Sequence, residues 1–227
     1  MHKIRATTLH QEIVSRIRKM IQKGTLVRGQ KVNEKDLCES MGVSRTPVRE
    51  ALRQLTSEGL IQLVPHKGAF VSQPCIEEIS DLFEVMSVLE GTCARLAANH
   101  MKEKDLQKIE ALHEELEAHY QNRDHEAYLK TNHVFHVFIQ ELTGNRVLND
   151  VINGLRQKIL LYRQRQLYQP ERFDQSIKEH RSLLGAFRTR DPESAESSMK
   201  HHLLMQCKAL IGLYANKEAE ERGKAAP

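Results

Sequence analysis

Apolar residues recur at intervals of three and four along most of the chain, the spacing that lines one face of an α-helix. Leu9, Ile13, Ile17, Met20 and Ile21 form one such stripe and predict a first helix ending near Gly24. Leu37 and Met41 mark the inner face of a short second helix, with Asn33 as its cap and Gly42 as its stop. Ser44 is then placed to cap a third helix whose inward stripe is Val48, Leu52 and Leu55. Over 60–71 the alternation is poor, but two β-prone runs flank a turn at His66, Lys67 and Gly68, which predicts a two-stranded hairpin.

Five of the 11 glycines and three of the six prolines precede Cys75, and no proline follows Pro74 until Pro170. In that stretch Ile79, Leu82, Phe83, Met86, Leu89, Cys93, Leu96 and Ala97 keep the helical spacing. Six helices are predicted, over 76–99, 104–122, 125–143, 146–166, 170–190 and 192–217. Pro170 and Pro192 suit first-turn positions, and Gly144-Asn145 suits a helix stop. The closing ANKEAEERGKAAP has little to bury and is expected to fray. The fold class is mainly α: a winged helix-turn-helix over 1–75, then an all-α antiparallel helical bundle over 76–227, with a pivot near 73–75.

Composition narrows the setting. With 227 residues, 40% hydrophobic and 28% charged, and a mean hydropathy of −0.54, the chain fits a soluble two-domain protein. It contains no apolar run of the roughly 18 residues a membrane span needs. The start MHKIRATTLHQEIV lacks the apolar block of a signal peptide, so a cytoplasmic location is expected. The four cysteines form no CxxC pair, which argues for reduced, mostly buried thiols. The net charge of +4 is unevenly spread: 13 basic residues face 6 acidic ones up to Cys75, and 21 face 24 beyond it. Only the first third looks built to meet a polyanion.

That third carries the chemistry of a duplex reader. Two helices joined at Gly42 form a helix-turn-helix, and Arg45, Thr46 and Arg49 fall on the outer side of the second, near its N-terminus. A guanidinium there can bond both O6 and N7 of a guanine. His66 and Lys67 at the hairpin tip are placed to touch phosphate or the minor groove, and Gly68 permits close backbone approach.

The run VNEKDLCESMGVSRTPVREALRQLTSEGLIQLVPHKGAFV resembles the winged helix of the GntR family of bacterial transcription regulators, through SRTPVREAL, the turn after LTSEGL and the KGAFV wing. The resemblance covers nearly all of the first 75 residues. It implies that Lys35, Ser44, Arg45, Thr46, Arg49, His66, Lys67 and Gly68 contact a double-stranded DNA operator. It also implies a homodimer on a palindrome, an expectation that geometry supports because one winged helix makes few contacts.

In the bundle, Asn132 and His136 stand four apart on one helix face, and His180 and His202 follow on later helices amid apolar residues. Two remote histidines and an i, i+4 pair can form a three-imidazole metal site with an oxygen ligand. Ordinary core histidines satisfy the same spacing.

From about residue 76 onward the chain is similar to the FCD effector domain of the FadR subfamily of GntR regulators. NHVFHVFIQELTGN, EHRSLLGAF and SSMKHHL carry that likeness. It implies a divalent ion, zinc or nickel, held by Asn132, His136, His180 and His202, with Asn132 where an aspartate is common. Many relatives carry an arginine for the effector's carboxylate where this chain has Met86, which weakens the expectation of an organic-acid effector. Six helices suit the shorter, VanR-like branch. The implied function is a ligand-responsive regulator, a repressor, with a small-molecule effector. Alternatives are a metal-free regulator with an apolar pocket, and a metal-dependent hydrolase fused to a DNA-binding module. Against the hydrolase stand the lack of HExxH and of a carboxylate beside the histidines.

Overall fold

The computed structural model describes residues 6–72, 76–162, 167 and 169–224. Its elements run α1 (Ala6–Gln22), α2 (Glu34–Met41), α3 (Arg45–Ser57), β1 (Ile61–Val64), β2 (Gly68–Val71), α4 (Ile76–His100), α5 (Glu103–Gln121), α6 (His125–Leu142), α7 (Arg146–Tyr162), α8 (Pro170–Arg188) and α9 (Pro192–Lys224). The chain divides into two compact units, Met1–Cys75 with Arg156–Gln164, and Ile76–Leu155 with Arg165–Pro227. The expected pivot at 73–75 lies outside the described residues.

In the first unit, Ile13, Ile17, Ile21, Leu37, Val48, Leu52 and Leu55 meet in one core with Leu60, Ile61, Ala69 and Val71. Leu9 belongs to the same helical stripe yet is 48% exposed. Helical phase sets the direction of a side chain; how far the neighbouring elements reach decides whether it is covered. Asn33 caps α2 by accepting from the Lys35 N–H at 3.0 Å, and Gly42 ends it at a φ of 67°. Ser44 occupies the N-cap of α3, but its hydroxyl makes no capping hydrogen bond, contrary to the sequence expectation.

The hairpin pairs Ile61 with Val71 and Val64 with Gly68 in antiparallel register. His66 and Gly68 both have positive φ, 61° and 102°, which tightens the turn. A feature absent from the sequence reading is a third backbone segment on the far side of β2. Gly29 N–H donates to Val71 O, Val71 N–H to Gln30 O and Val32 N–H to Ala69 O, at 2.8 to 2.9 Å. The wing is thereby fastened to the turn before α2.

The second unit contains α4, α5, α6, α8 and α9 and the first part of α7. Its core includes Ile79, Phe83, Met86, Cys93, Tyr128, Phe135, Phe173, Ile177, Leu183, Phe187, Met199 and Leu203. Met86 is thus a core residue of α4. Asp124 caps α6 through the Ala127 N–H at 2.9 Å, Gly144 follows α6 with a φ of 63°, and Pro170 opens α8. The helix expected to fray from about residue 215 continues to Lys224. Among the described residues no helix is long and apolar enough to cross a membrane.

Candidate functional site

Two groups of side chains invite a functional reading, one in each unit. On α3, the burial of Val48, Ala51, Leu52 and Leu55 turns the first-turn residues Arg45, Thr46 and Arg49 outward, and all three are exposed. Arg49 Nε donates to Glu34 Oε2 at 2.7 Å, tying α3 to α2. Lys35 is exposed on α2, 3.8 Å from Glu39, and Ser44 is exposed just before α3. His66, Lys67 and Gly68 are exposed at the hairpin tip. Every residue proposed for duplex contact therefore lies at the surface of the first unit.

The second group is buried. Asn132 and His136 lie on α6, His180 on α8 and His202 on α9, each with 5% exposure or less. The ligand atoms of the three histidines all lie within 4.8 Å of one another. Ring centroids are 4.6 Å apart for His180 and His202, 5.2 Å for His136 and His202, and 5.8 Å for His136 and His180.

Each ring is held by its Nδ1. That of His180 donates to the Ser176 carbonyl at 2.8 Å, and a carbonyl only accepts, so Nε2 carries the lone pair. Nδ1 of His136 is 2.6 Å from Glu90 Oε2, and Nδ1 of His202 is 2.7 Å from Glu179 Oε2. Glu179 in turn accepts from both terminal nitrogens of Arg172, at 2.9 and 2.8 Å. Burial holds the His180 imidazole well below its ordinary pKa, and the neighbouring His136 adds to the effect, so His180 is neutral. Burial also pushes the Glu179 carboxyl up, against the opposing pull of Arg172.

The inward atoms test whether a cation fits. Nε2 of His136, Nε2 of His180 and Oδ1 of Asn132 are buried without a hydrogen-bond partner. Three unpaired acceptors in an apolar bundle are costly unless something positive or proton-bearing meets them. Nε2 of His202 is in contact with the Gln206 amide nitrogen. Nitrogen and amide-oxygen donors of this kind suit zinc or nickel, and carboxylate-backed imidazoles are the usual outer support of such ions.

Sequence reasoning missed Glu90, Arg172, Glu179 and Gln206. It also placed no carboxylate beside the histidines, and the structure corrects this. Glu90 and Glu179 are both there, but on the outer Nδ1 edges, where they orient imidazoles. A signal existed for each: Glu90 is a lone acid on the stripe of Met86 and Cys93, and Glu179 directly precedes His180. Gln206 stands four residues after His202, as His136 does after Asn132.

Comparison with known proteins agrees with this division. Residues 81–204 match the FCD domain, and residues 9–71 match the family described as bacterial regulatory proteins, gntR family. The chain is 27% identical over 197 residues to the probable D-xylose utilization operon transcriptional repressor of Paenarthrobacter nicotinovorans, covering 87% of this chain and 86% of that protein. It is 28% identical over 209 residues to the galactonate operon transcriptional repressor of Escherichia coli (strain K12), covering 82% and 90% respectively. The solved structure of E. coli McbR/YncC superposes with a TM-score of 0.72 at 23% identity, covering 91% of this chain and 98% of that one, which shows a shared fold.

Arg172→Met strands the Glu179 carboxylate in the core. A loss of about 3–5 kcal/mol of unfolding free energy is expected, the usual result of removing one member of a buried pair. Denaturant unfolding followed by circular dichroism measures it, and a loss near zero would show that Glu179 does not depend on Arg172.

Proposed function

The chain belongs to the gntR family of bacterial regulatory proteins and carries an FCD domain, so it is a DNA-binding transcription regulator; from that premise we propose that it is a homodimeric repressor whose buried histidine site admits a small anionic effector. The observation that carries the proposal is the convergence of three Nδ1-anchored imidazoles on one point, with the inward acceptors of His136, His180 and Asn132 unpartnered. The unpartnered acceptor atoms of His136, His180 and Asn132 favour this reading over an apolar ligand pocket. The family and the relatives are regulators rather than enzymes, and Glu90 and Glu179 contact the outer Nδ1 edges of the rings.

Asn132, His136, His180 and His202 are the proposed ligands of a divalent ion, zinc or nickel. When bound, the ion supplies a positive charge able to hold an anionic oxygen of the effector inside an otherwise apolar bundle. The chain's own contribution is orientation: Glu90, the Ser176 carbonyl and Glu179 keep three lone pairs pointing inward. Met86, packed in the core, offers no charge to a carboxylate, so the effector's anionic group depends on the histidine site. Relatives named for D-xylose and galactonate operons direct the search toward sugars, sugar acids and other small carboxylates. An effector changes operator affinity only by preferring one arrangement of the protein, and a coupling of about 1–3 kcal/mol corresponds to about 5- to 150-fold. Thermal-shift screening of the ion-loaded protein against such compounds identifies the class.

On the DNA side, Arg45 and Arg49 are the proposed base readers, with Lys35, Ser44, Thr46, His66, Lys67 and Gly68 at phosphates or the minor groove. Two copies are expected to meet through the outer face of α4. There Val85 and Val88 are 50% and 51% exposed, with Asp81 and Glu84 before them and Arg95 after them. A two-fold antiparallel pairing would bring the acids of each copy toward Arg95 of the other, whose Nε pairs within its own chain with Glu196 Oε2 at 3.0 Å.

Three outcomes test these assignments. Arg45→Ala and Arg49→Ala should each lose about 1–3 kcal/mol of preference for a palindromic operator over scrambled duplex in a gel shift; equal preference in both variants sinks the base-reading role. Elemental analysis of the purified protein should find about one divalent ion per chain, absent when His136, His180 and His202 are all changed to alanine. Val88→Glu should shift the protein to monomer in light scattering, and a persistent dimer would place the interface elsewhere.

A further inference from the structure

The Gln206 carboxamide is a buried polar group at the histidine site that the proposed ion set leaves without a task. It lies on α9, 2% exposed, four residues beyond His202 and therefore stacked above it on the same helix face. The pair reproduces the arrangement of Asn132 and His136 on α6, so two helices each present a carboxamide and an imidazole one turn apart, with His180 supplied by a third. Among the three imidazoles, His136 and His180 have unpartnered Nε2 atoms, whereas Nε2 of His202 meets the Gln206 amide nitrogen.

His202 has little freedom to respond by turning. Its Nδ1 is held by Glu179, and Glu179 is clamped by both terminal nitrogens of Arg172. The lone pair of His202 therefore stays inward, and the amide N–H of Gln206 donates to it. A cation in the chamber would need that lone pair and would face the amide hydrogens at close range. The adjustment with the smallest displacement is rotation of the carboxamide about its terminal torsion, a broad and weakly restricted one, which exchanges the donor end for the oxygen. Retreat would instead move a buried amide along a helix face that also carries the buried Met199, Leu203 and Leu210.

We infer that Gln206 is a two-way cap on this site: its amide N–H satisfies His202 in the ion-free protein, and its oxygen serves as a further ligand to a divalent cation. This rests on the cation site proposed above and adds to it. Imidazole nitrogens and carboxamide oxygens add no negative charge as ligands, so the ion would keep its full charge toward an incoming anion. Glu90 and Glu179 contribute negative charge only from behind the rings.

The test is titration of the metal-free protein with Zn2+ or Co2+ against a chromophoric chelator, with the visible absorption of the Co2+ form as a second readout. Gln206→Met keeps the length and removes the oxygen; it should bind the ion about 10-fold more weakly or worse and alter the Co2+ bands. Gln206→Glu keeps an oxygen and cannot donate; it should bind more tightly, again with altered bands. If Gln206 only obstructs His202, both variants bind as tightly as the parent or more so, with Co2+ bands unchanged, and the inference is overturned. Should Gln206→Met fail to fold by circular dichroism, Gln206→Leu, which also lacks the oxygen, takes its place with the same expectations for both readouts. A parent protein that takes up no ion overturns both this inference and the cation site, whereas normal uptake by the parent with indifferent Gln206 variants overturns this inference alone.

Discussion

The second unit is organised around a physical conflict: three imidazoles and two carboxamides occupy the interior of a helical bundle, where unpaired polar atoms are costly. The conflict is settled on one side only. Each imidazole donates outward through Nδ1, to Glu90, to the Ser176 carbonyl or to Glu179, and this leaves its other nitrogen directed inward. The Arg172–Glu179 pair is part of that arrangement. Apolar replacement of such buried pairs is often neutral or stabilising, so net stability is a poor account of its presence. Orientation of His202 is a better one, because a carboxylate locked by two guanidinium nitrogens is a fixed acceptor for a ring N–H.

The same network distributes the site over the bundle. Glu90 belongs to α4, Asn132 and His136 to α6, Ser176, Glu179 and His180 to α8, and His202 and Gln206 to α9. Four helices therefore share one small polar centre. Packed interiors adjust by small displacements of whole elements rather than by local deformation.

The first unit solves a different problem, how to hold a basic edge in a defined posture. The apolar stripe of α3 sinks into a core shared with α1 and the hairpin, and the outward position of Arg45, Thr46 and Arg49 follows from that burial. The bond from Arg49 to Glu34 restrains one of the proposed readers before any duplex arrives. The backbone pairing of the 29–32 segment with β2 keeps the wing from being a free hairpin, which at two strands would be marginal by itself.

Much of this was legible in the residues. Spacing of apolar side chains located all six bundle helices and the three before them, because a helix must turn one face inward and the period of that face is local. Asn33, Gly42, Gly144 and Pro170 marked boundaries for reasons that need no tertiary partner. Where coverage or pairing depends on distant segments, the local signal failed. Leu9 lies on the stripe of α1 yet is half exposed, α9 extends to Lys224 beyond its last obvious apolar turn, and segment 29–32 pairs with a strand that lies some forty residues further on in the chain. The i, i+4 relation of Asn132 and His136 could be read from the chain, and so could that of His202 and Gln206. Helix packing alone decided that the three histidines bring their ligand atoms within 4.8 Å of one another, with Glu90 and Glu179 behind two of the rings, because the approach of three or four helices is set by the whole core and not by the spacing within any one of them.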